Sequence, residues 1–502
     1  MAWRRGGRLL LAVLAASVAT VVVRADSRRL DSVVQLQLGD LLYSDARFED
    51  AAQAYRSAWT TASGAERIQA GNGLVRSLLR TAAYRTARPE AEQLVRLAPS
   101  SAESLALSGD ALWAAGWFEE AEVRYRAALA TRADYPPALD GLARSLAARN
   151  LLVDALELAT RATNQATRLP EHLHTLGFIH ERMRRYELAA TAYADYLQML
   201  SPQSRARRAG WTERQIRFLR SFGAREPSAM APEVAAATHV VPFRLVRNKI
   251  LVAARVNGGR TFDMVLDTGA EMTALTRRTA ARLGIEPVVA TVSAGVGQIG
   301  VRALQLGRID SLQIGTLRVD NVPTLIKNPA LPDLPSNEND GFSPLAWGLS
   351  VQVDYTRRLL TMAQTLPESA ADTALPLRMH RLATVRGSVN SANAVNFVVD
   401  TGGEVISISR SVFDLLNTQP PRRIPLKVYG VSGWDPDAFL MPGLDVAFEH
   451  VSLPNLSVVV LNLDAPSSLL GFDLGGIVGH KFLGKYHVSI DLPRSELRLK
   501  AM

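Results

Sequence analysis

Two textures of hydrophobic patterning divide the chain. From about Ser32 to Pro202 apolar positions recur at helical spacing, and a longer period lies over them. Small residues stand at Ala51, Ala87, Ala121, Ala155 and Ala189, at gaps of 36, 34, 34 and 34. Four positions on come Tyr55, Ala91, Tyr125, Ala159 and Tyr193; twelve or so before come Gly39, Gly109, Ala143 and Gly177. Prolines 99, 136, 170 and 202 fall near the ends of these units. The spacing predicts about five helix pairs, the second of them, about Arg67 to Ser100, degenerate and carrying Pro89. Trp211, Ile216, Phe218 and Leu219 then predict a capping helix over Ser204 to Phe222, and Ala224 to Thr238 reads as a linker. After Val240 short apolar runs alternate with turn residues, which predicts a β half.

A 34-residue period with a small residue at each close approach and an aromatic one helical turn on resembles the tetratricopeptide repeat. The resemblance implies an all-α solenoid over residues 32–202 that stacks its units to bury their apolar faces, and a groove for a protein or peptide partner. A spacer role for the array is the alternative.

Composition narrows the setting. The 502 residues carry no cysteine, so disulfides, thiolate metal sites and cysteine nucleophiles are excluded. Net charge is +9, of which four charges lie in the first 25 residues; the remainder is too small an excess to indicate nucleic acid. Residues 1–25 have a basic start, an apolar run from Leu9 to Val23 and a small-x-small site at Val23–Ala25, the layout of an export signal. The run is shorter than the roughly 20 residues a spanning helix prefers, which favours cleavage over a retained membrane anchor. The expected location is periplasmic or extracellular, or membrane-anchored if the signal stays. Boundaries follow at 1–25 (signal or anchor), 32–202 (repeats), 203–238 (cap and linker), 239–365 (first β lobe) and 375–502 (second β lobe).

The chemistry sits in one stretch that occurs twice. Met264-Val265-Leu266-Asp267-Thr268-Gly269 and Phe397-Val398-Val399-Asp400-Thr401-Gly402 each run an apolar strand into Asp-Thr-Gly, 133 residues apart (400 − 267). A short helix follows each, at Arg277 to Leu283 and Arg410 to Leu416. Each half closes on a matching strand, Val351 to Tyr355 and Val488 to Leu492, whose aspartates lie 137 apart (491 − 354). Internal duplication explains both offsets.

Duplicated Asp-Thr-Gly turns in this setting resemble the retropepsin-like aspartic proteases, fused as two lobes in one chain as in pepsins. The resemblance covers about the last 260 residues. It implies an all-β bilobal fold and an aspartic endopeptidase of peptide or protein substrates, needing neither metal nor cofactor. Asp267 and Asp400 would form the dyad. Thr268 and Thr401 would bond across the lobe interface, while Gly269 and Gly402 would allow the tight turns. Ile477-Val478-Gly479 would support the second turn; in the first lobe Asp340 to Pro344 stands in that place, with Ala346-Trp347-Gly348 as a second candidate.

Two carboxylates a hydrogen bond apart cannot both ionise, so the pair keeps one proton and can act as base and acid together. Gly295-Val296-Gly297-Gln298-Ile299-Gly300 spells a dinucleotide fingerprint, but alternation from Val301 onward replaces the helix such a site requires. The family resemblance instead makes Gly295, Gly297 and Gly300 part of a flap over the cleft. Two other readings stay open: lobes that are inert and serve a binding scaffold, and lobes that pair with those of another chain.

Overall fold

A computed structural model describes residues 30–294, 301–327, 339–390, 393–416, 423–430 and 433–502. The chain divides into two compact units, Met1–Ala138 and Leu139–Met502.

Helices α1 (residues 30–44), α2 (Phe48–Thr61), α3 (Gly64–Arg80), α4 (Tyr84–Leu97), α5 (Ala102–Ala114) and α6 (Phe118–Thr131) build the first unit. Glycine and tyrosine lock the first and third pairs. A Cβ on Gly39 would lie 2.7 Å from the Tyr55 ring, and one on Gly109 would lie 2.5 Å from Tyr125. Only a hydrogen fits there, so the tyrosine can bury its ring against the partner helix. The hydroxyls then reach Asp40 (2.7 Å) and Asp110 (2.8 Å), so neither polar tip is buried unsatisfied. Ala51, Ala87 and Ala121 are fully buried. In the irregular second pair α4 continues through Pro89, and Gly73 of α3 also packs on Tyr55.

The turn inside each pair is equally periodic. Ala46, Ala82, Gly116, Asn150 and Arg184 all take positive φ, between 57° and 79°. Only Gly116 occupies this left-handed region without a Cβ penalty.

The second unit holds α7 from Leu139 onward (Pro136–Ala148 overall), α8 (Leu152–Thr163), α9 (Pro170–Arg182), α10 (Tyr186–Met199) and α11 (Pro202–Arg220). Proline opens α7, α9 and α11, where its missing N–H is not needed. The α11 helix packs with α9 and α10 through Ile216 and Leu219. The following segment is held: Ala229 exchanges backbone hydrogen bonds with Asp320 (2.9 and 2.8 Å), and residues Pro232–Ala236 form a short helix.

Each β lobe runs an apolar strand into its Asp-Thr-Gly turn. Phe262–Leu266 pairs in parallel with Gly341–Phe342, and Asn393–Val399 pairs in parallel with Gly476–Val478. Strands Thr273–Thr276 and Ile406–Ser409 follow the turns. Thr276 and Ser409 then cap the helices Arg277–Arg282 and Arg410–Leu415 through their side-chain oxygens. The lobes join where the closing strands meet antiparallel, with Val351 opposite Ile490 and Val353 opposite Val488. Gln352 and Ser489 face each other at the centre of that pairing, Nε2 donating to Oγ at 3.2 Å. One apolar core, including Leu266, Phe342, Val399 and Val478, runs beneath both turns.

Candidate active site

Asp267 and Asp400 stand at the ends of two buried strands and face each other across the lobe boundary. A Cβ on Gly269 would fall 2.6 Å from Asp400 Cγ, and one on Gly402 would fall 2.8 Å from Asp267 Cγ. Each turn glycine therefore lies against the opposite carboxyl group. Close approach, not backbone strain, is what requires glycine at these two positions.

The threonines tie the turns together reciprocally. Thr268 N–H donates to Thr401 Oγ1 (3.1 Å) and Thr401 N–H to Thr268 Oγ1 (3.0 Å). The two hydroxyls donate onward to the Val399 and Leu266 carbonyls, at 2.7 and 2.8 Å. Both threonines are buried, so four satisfied bonds in a dry environment fix the spacing of the two aspartates. Only the pair of lobes, 133 residues apart in sequence, completes this set.

Support from below is also symmetrical. Asp267 N–H donates to the Phe342 carbonyl (2.9 Å), and Asp400 N–H to the Val478 carbonyl (3.0 Å). Register makes Gly341-Phe342-Ser343 the counterpart of Ile477-Val478-Gly479, while Ala346 and Trp347 belong to a 3₁₀ turn ending at Gly348. A Cβ on Gly479 would meet the Gly403 and Val405 carbonyls at 2.7 Å. The first lobe has Ser343 in that place, its buried hydroxyl without a hydrogen-bond partner among the described residues. The flap glycines 295, 297 and 300 lie outside the described residues.

Three cationic or acidic groups join the site that local sequence patterns did not mark. Lys249 Nζ, from the first lobe, donates to the Gly402 carbonyl at 2.9 Å. Arg381, from the second lobe, donates twice to Glu271 Oε2 at 3.0 and 2.8 Å. Glu271 stands four residues after Asp267, and Glu404 holds the same offset after Asp400; that repeated glutamate was the one available signal.

Electrostatics favour a shared proton. Burial holds the Asp267 carboxyl above the usual carboxylate range, against the pull of Lys327 and Lys249. Burial and then the charge of Asp267 push Asp400 up as well, against the N–H groups of Gly402 and Gly403. Gly402 N–H donates to Asp400 Oδ1 at 2.8 Å. Such a pair titrates as a unit and carries a base and an acid at once.

The same shifts set a stability trend. Folded values above the unfolded carboxylate value of about 4 mean that the native state keeps protons the unfolded chain has released. This contribution is fully present below about pH 4 and is lost as pH rises through the raised values. Asn at position 400 stays neutral at every pH, so Asp400→Asn abolishes this loss on raising the pH. The variant should therefore melt close to wild type at pH 4 and about 2–6 °C above it at pH 7, by calorimetry. A difference independent of pH would contradict the raised pair.

One family model matches the first β lobe. Residues 252–340 match the family model for aspartyl protease, a span that contains Asp267 and ends at Asp340. Residues 252–340 thus match an aspartyl protease domain, and a region of paired antiparallel helices precedes them. Among solved structures, a thermophilic TPR protein of Thermus thermophilus is 20% identical, covering 36% of this chain and 97% of its own, at TM-score 0.31. YrrB, a TPR protein with an unusual peptide-binding site, is 18% identical over 38% and 96%, at TM-score 0.25. PilF of Pseudomonas aeruginosa is 17% identical over 38% and 82%, at TM-score 0.30. No curated protein matches the chain.

Proposed function

We propose that this chain is an exported aspartic endopeptidase whose helical array binds a protein or peptide partner. The observation that carries the reading is the reciprocal Thr268–Thr401 bonding, which holds two carboxyl groups face to face within a single chain. In peptide hydrolysis the ionised carboxylate takes a proton from the attacking water. Its protonated partner polarises the scissile carbonyl and then supplies the proton to the leaving nitrogen. Low local dielectric and the fixed N–H groups of Gly402 and Gly403 stabilise the charge that moves between them.

Purified full-length protein should cleave denatured protein substrates at some pH between acid and neutral, and statine-type inhibitors should block that cleavage. Absence of cleavage over this whole range would overturn the enzyme reading and leave an inert scaffold.

The array offers a groove of about 410 Å³ lined by Asp40, Tyr55, Asn72, Arg76 and Glu103 among others. Its mixed charges and amide suit a polypeptide backbone with polar side chains. Export rests on the sequence of residues 1–25. Among the described residues no helix is long and apolar enough to cross a membrane. N-terminal sequencing of the protein recovered from an exporting host should begin just after Ala25; recovery with Met1 in the membrane fraction would replace cleavage with anchoring.

A further inference from the structure

The last helix pair and α11 close on one turn of the second lobe, between strands Thr373–His380 and Leu382–Val389. Arg182, at the end of α9, donates from Nη1 to the Met379 carbonyl (2.6 Å) and the Ala147 carbonyl (2.5 Å). Its Nη2 donates to Asn150 Oδ1 at 3.0 Å. The Phe178 ring meets the His380 ring at 4.9 Å between centroids, and the Arg381 guanidinium lies 5.9 Å from the Trp211 ring. Arg381 forms the tip of the turn with φ +61°, a conformation a non-glycine residue holds only when its surroundings fix it. Three consecutive residues of the lobe are therefore gripped by the array.

From this grip two routes lead to the loop that carries Asp267. One is polar. Arg381 is bonded to Glu271, and the negative charge of Glu181 on α9 also favours the charged guanidinium. Glu181 is itself fixed, accepting from Gln215 Nε2 (2.8 Å) and Tyr193 Oη (3.0 Å). An Arg–Glu pair as exposed as Arg381–Glu271 contributes little alone; the charge of a second, anchored carboxylate adds to the hold on Arg381. The other route is apolar. Phe218 and Phe222, at and just beyond the end of α11, pack with Val289 and Leu306, and Met272 lies against the same cluster. Val289 and Leu306 pair with each other where strands Pro287–Ala294 and Val301–Ile314 run antiparallel. Glu271 and Met272 are adjacent, four and five residues after Asp267.

We propose that the last repeat and α11 position the Asp267 loop, through Arg381 on one side and the Phe218–Phe222 cluster on the other. The array is thereby a working part of the protease, and Glu181 and Trp211 are positioning residues. This rests on the endopeptidase reading, since a displacement of about 1 Å at a reacting group costs on the order of a hundredfold in rate.

Full-length Glu181→Gln and Trp211→Ala test it by two independent readouts. Amide hydrogen exchange across residues 264–272 should accelerate at least about tenfold in both variants, because the loop opens more readily once its hold is cut. On a peptide substrate kcat should fall about tenfold with KM changed less than about threefold. Trp211→Phe keeps an aromatic face for the guanidinium and should restore both towards wild type, so a misfolded Trp211→Ala cannot pass for support. Exchange altered only within residues 170–220 and 378–383, with 264–272 as in wild type, overturns the proposal. If the wild type hydrolyses nothing, the endopeptidase reading fails, while the exchange measurement still decides the mechanical link.

Discussion

Asp400→Asn should lower peptide hydrolysis by at least about three orders of magnitude, and Asp267→Asn should do the same. Each removes one half of a pair that must supply a base and an acid together. The double variant should be no worse than either single one, because groups that act as a unit lose their function together. Both single variants should remain folded: Asn keeps the shape of Asp, and the Thr268–Thr401 bonds do not involve the carboxyl groups. Steady-state kinetics beside a circular dichroism spectrum checks all of this. Retained hydrolysis in either variant would remove that aspartate from the proposed chemistry.

A methyl group at Gly269 should be nearly as damaging. Its carbon would lie 2.6 Å from Asp400 Cγ and 2.7 Å from Oδ1, far inside contact distance. The clash is with the opposing carboxyl, so relief requires the dyad itself to open. Activity should fall at least about a hundredfold, on the scale that ångström displacements cost. Gly402→Ala should behave alike, its carbon falling 2.8 Å from Asp267 Cγ. Gly341→Ala is the matched contrast. It also borders Asp267, but at 3.6 Å from Cβ and 3.7 Å from Oδ2, which is ordinary contact. Its activity should stay within about threefold of wild type in the same assay.

The contrast between these glycines shows what was readable in the sequence. The β-strand run, the turn and the duplication are local patterns, so Asp267 and Asp400 stood out as equivalent positions of two lobes, and the family resemblance implied that they form a dyad. The periodic alanines likewise announced the helix pairs, because a small residue is demanded wherever two helices touch. Gly73 escaped that pattern. It precedes Ala87 by fourteen residues, where the other units have twelve, yet it packs on Tyr55 as Gly39 does. The first lobe's support segment was placed at Asp340 to Pro344, but Ala346-Trp347-Gly348 stayed a second candidate because Ser343 stands where the second lobe has Gly479.

Contacts across long sequence separations were out of reach in principle. Nothing near Lys249 indicates a bond to Gly402, 153 residues away. Arg381 and Glu271 are 110 residues apart, and Arg182 reaches Met379 across 197. Composition also misrepresents the stretch from Ala224 to Thr238. Alanine, proline and serine suggest a tether, yet Ser228 and Ala229 donate backbone hydrogen bonds to Asn321 and Asp320, and His239 contacts the Val234 carbonyl. Sequence conveys the entropy of such a segment and not the surface it meets.

That one chain supplies the entire dyad is the claim on which the rest depends. Isothermal titration of the full-length monomer with a statine-type transition-state analogue measures it directly, with sedimentation fixing the mass of the bound species. One inhibitor per monomer is expected, with affinity reduced at least about a hundredfold by either Asp267→Asn or Asp400→Asn. One inhibitor per two chains, or binding indifferent to both aspartates, would contradict it.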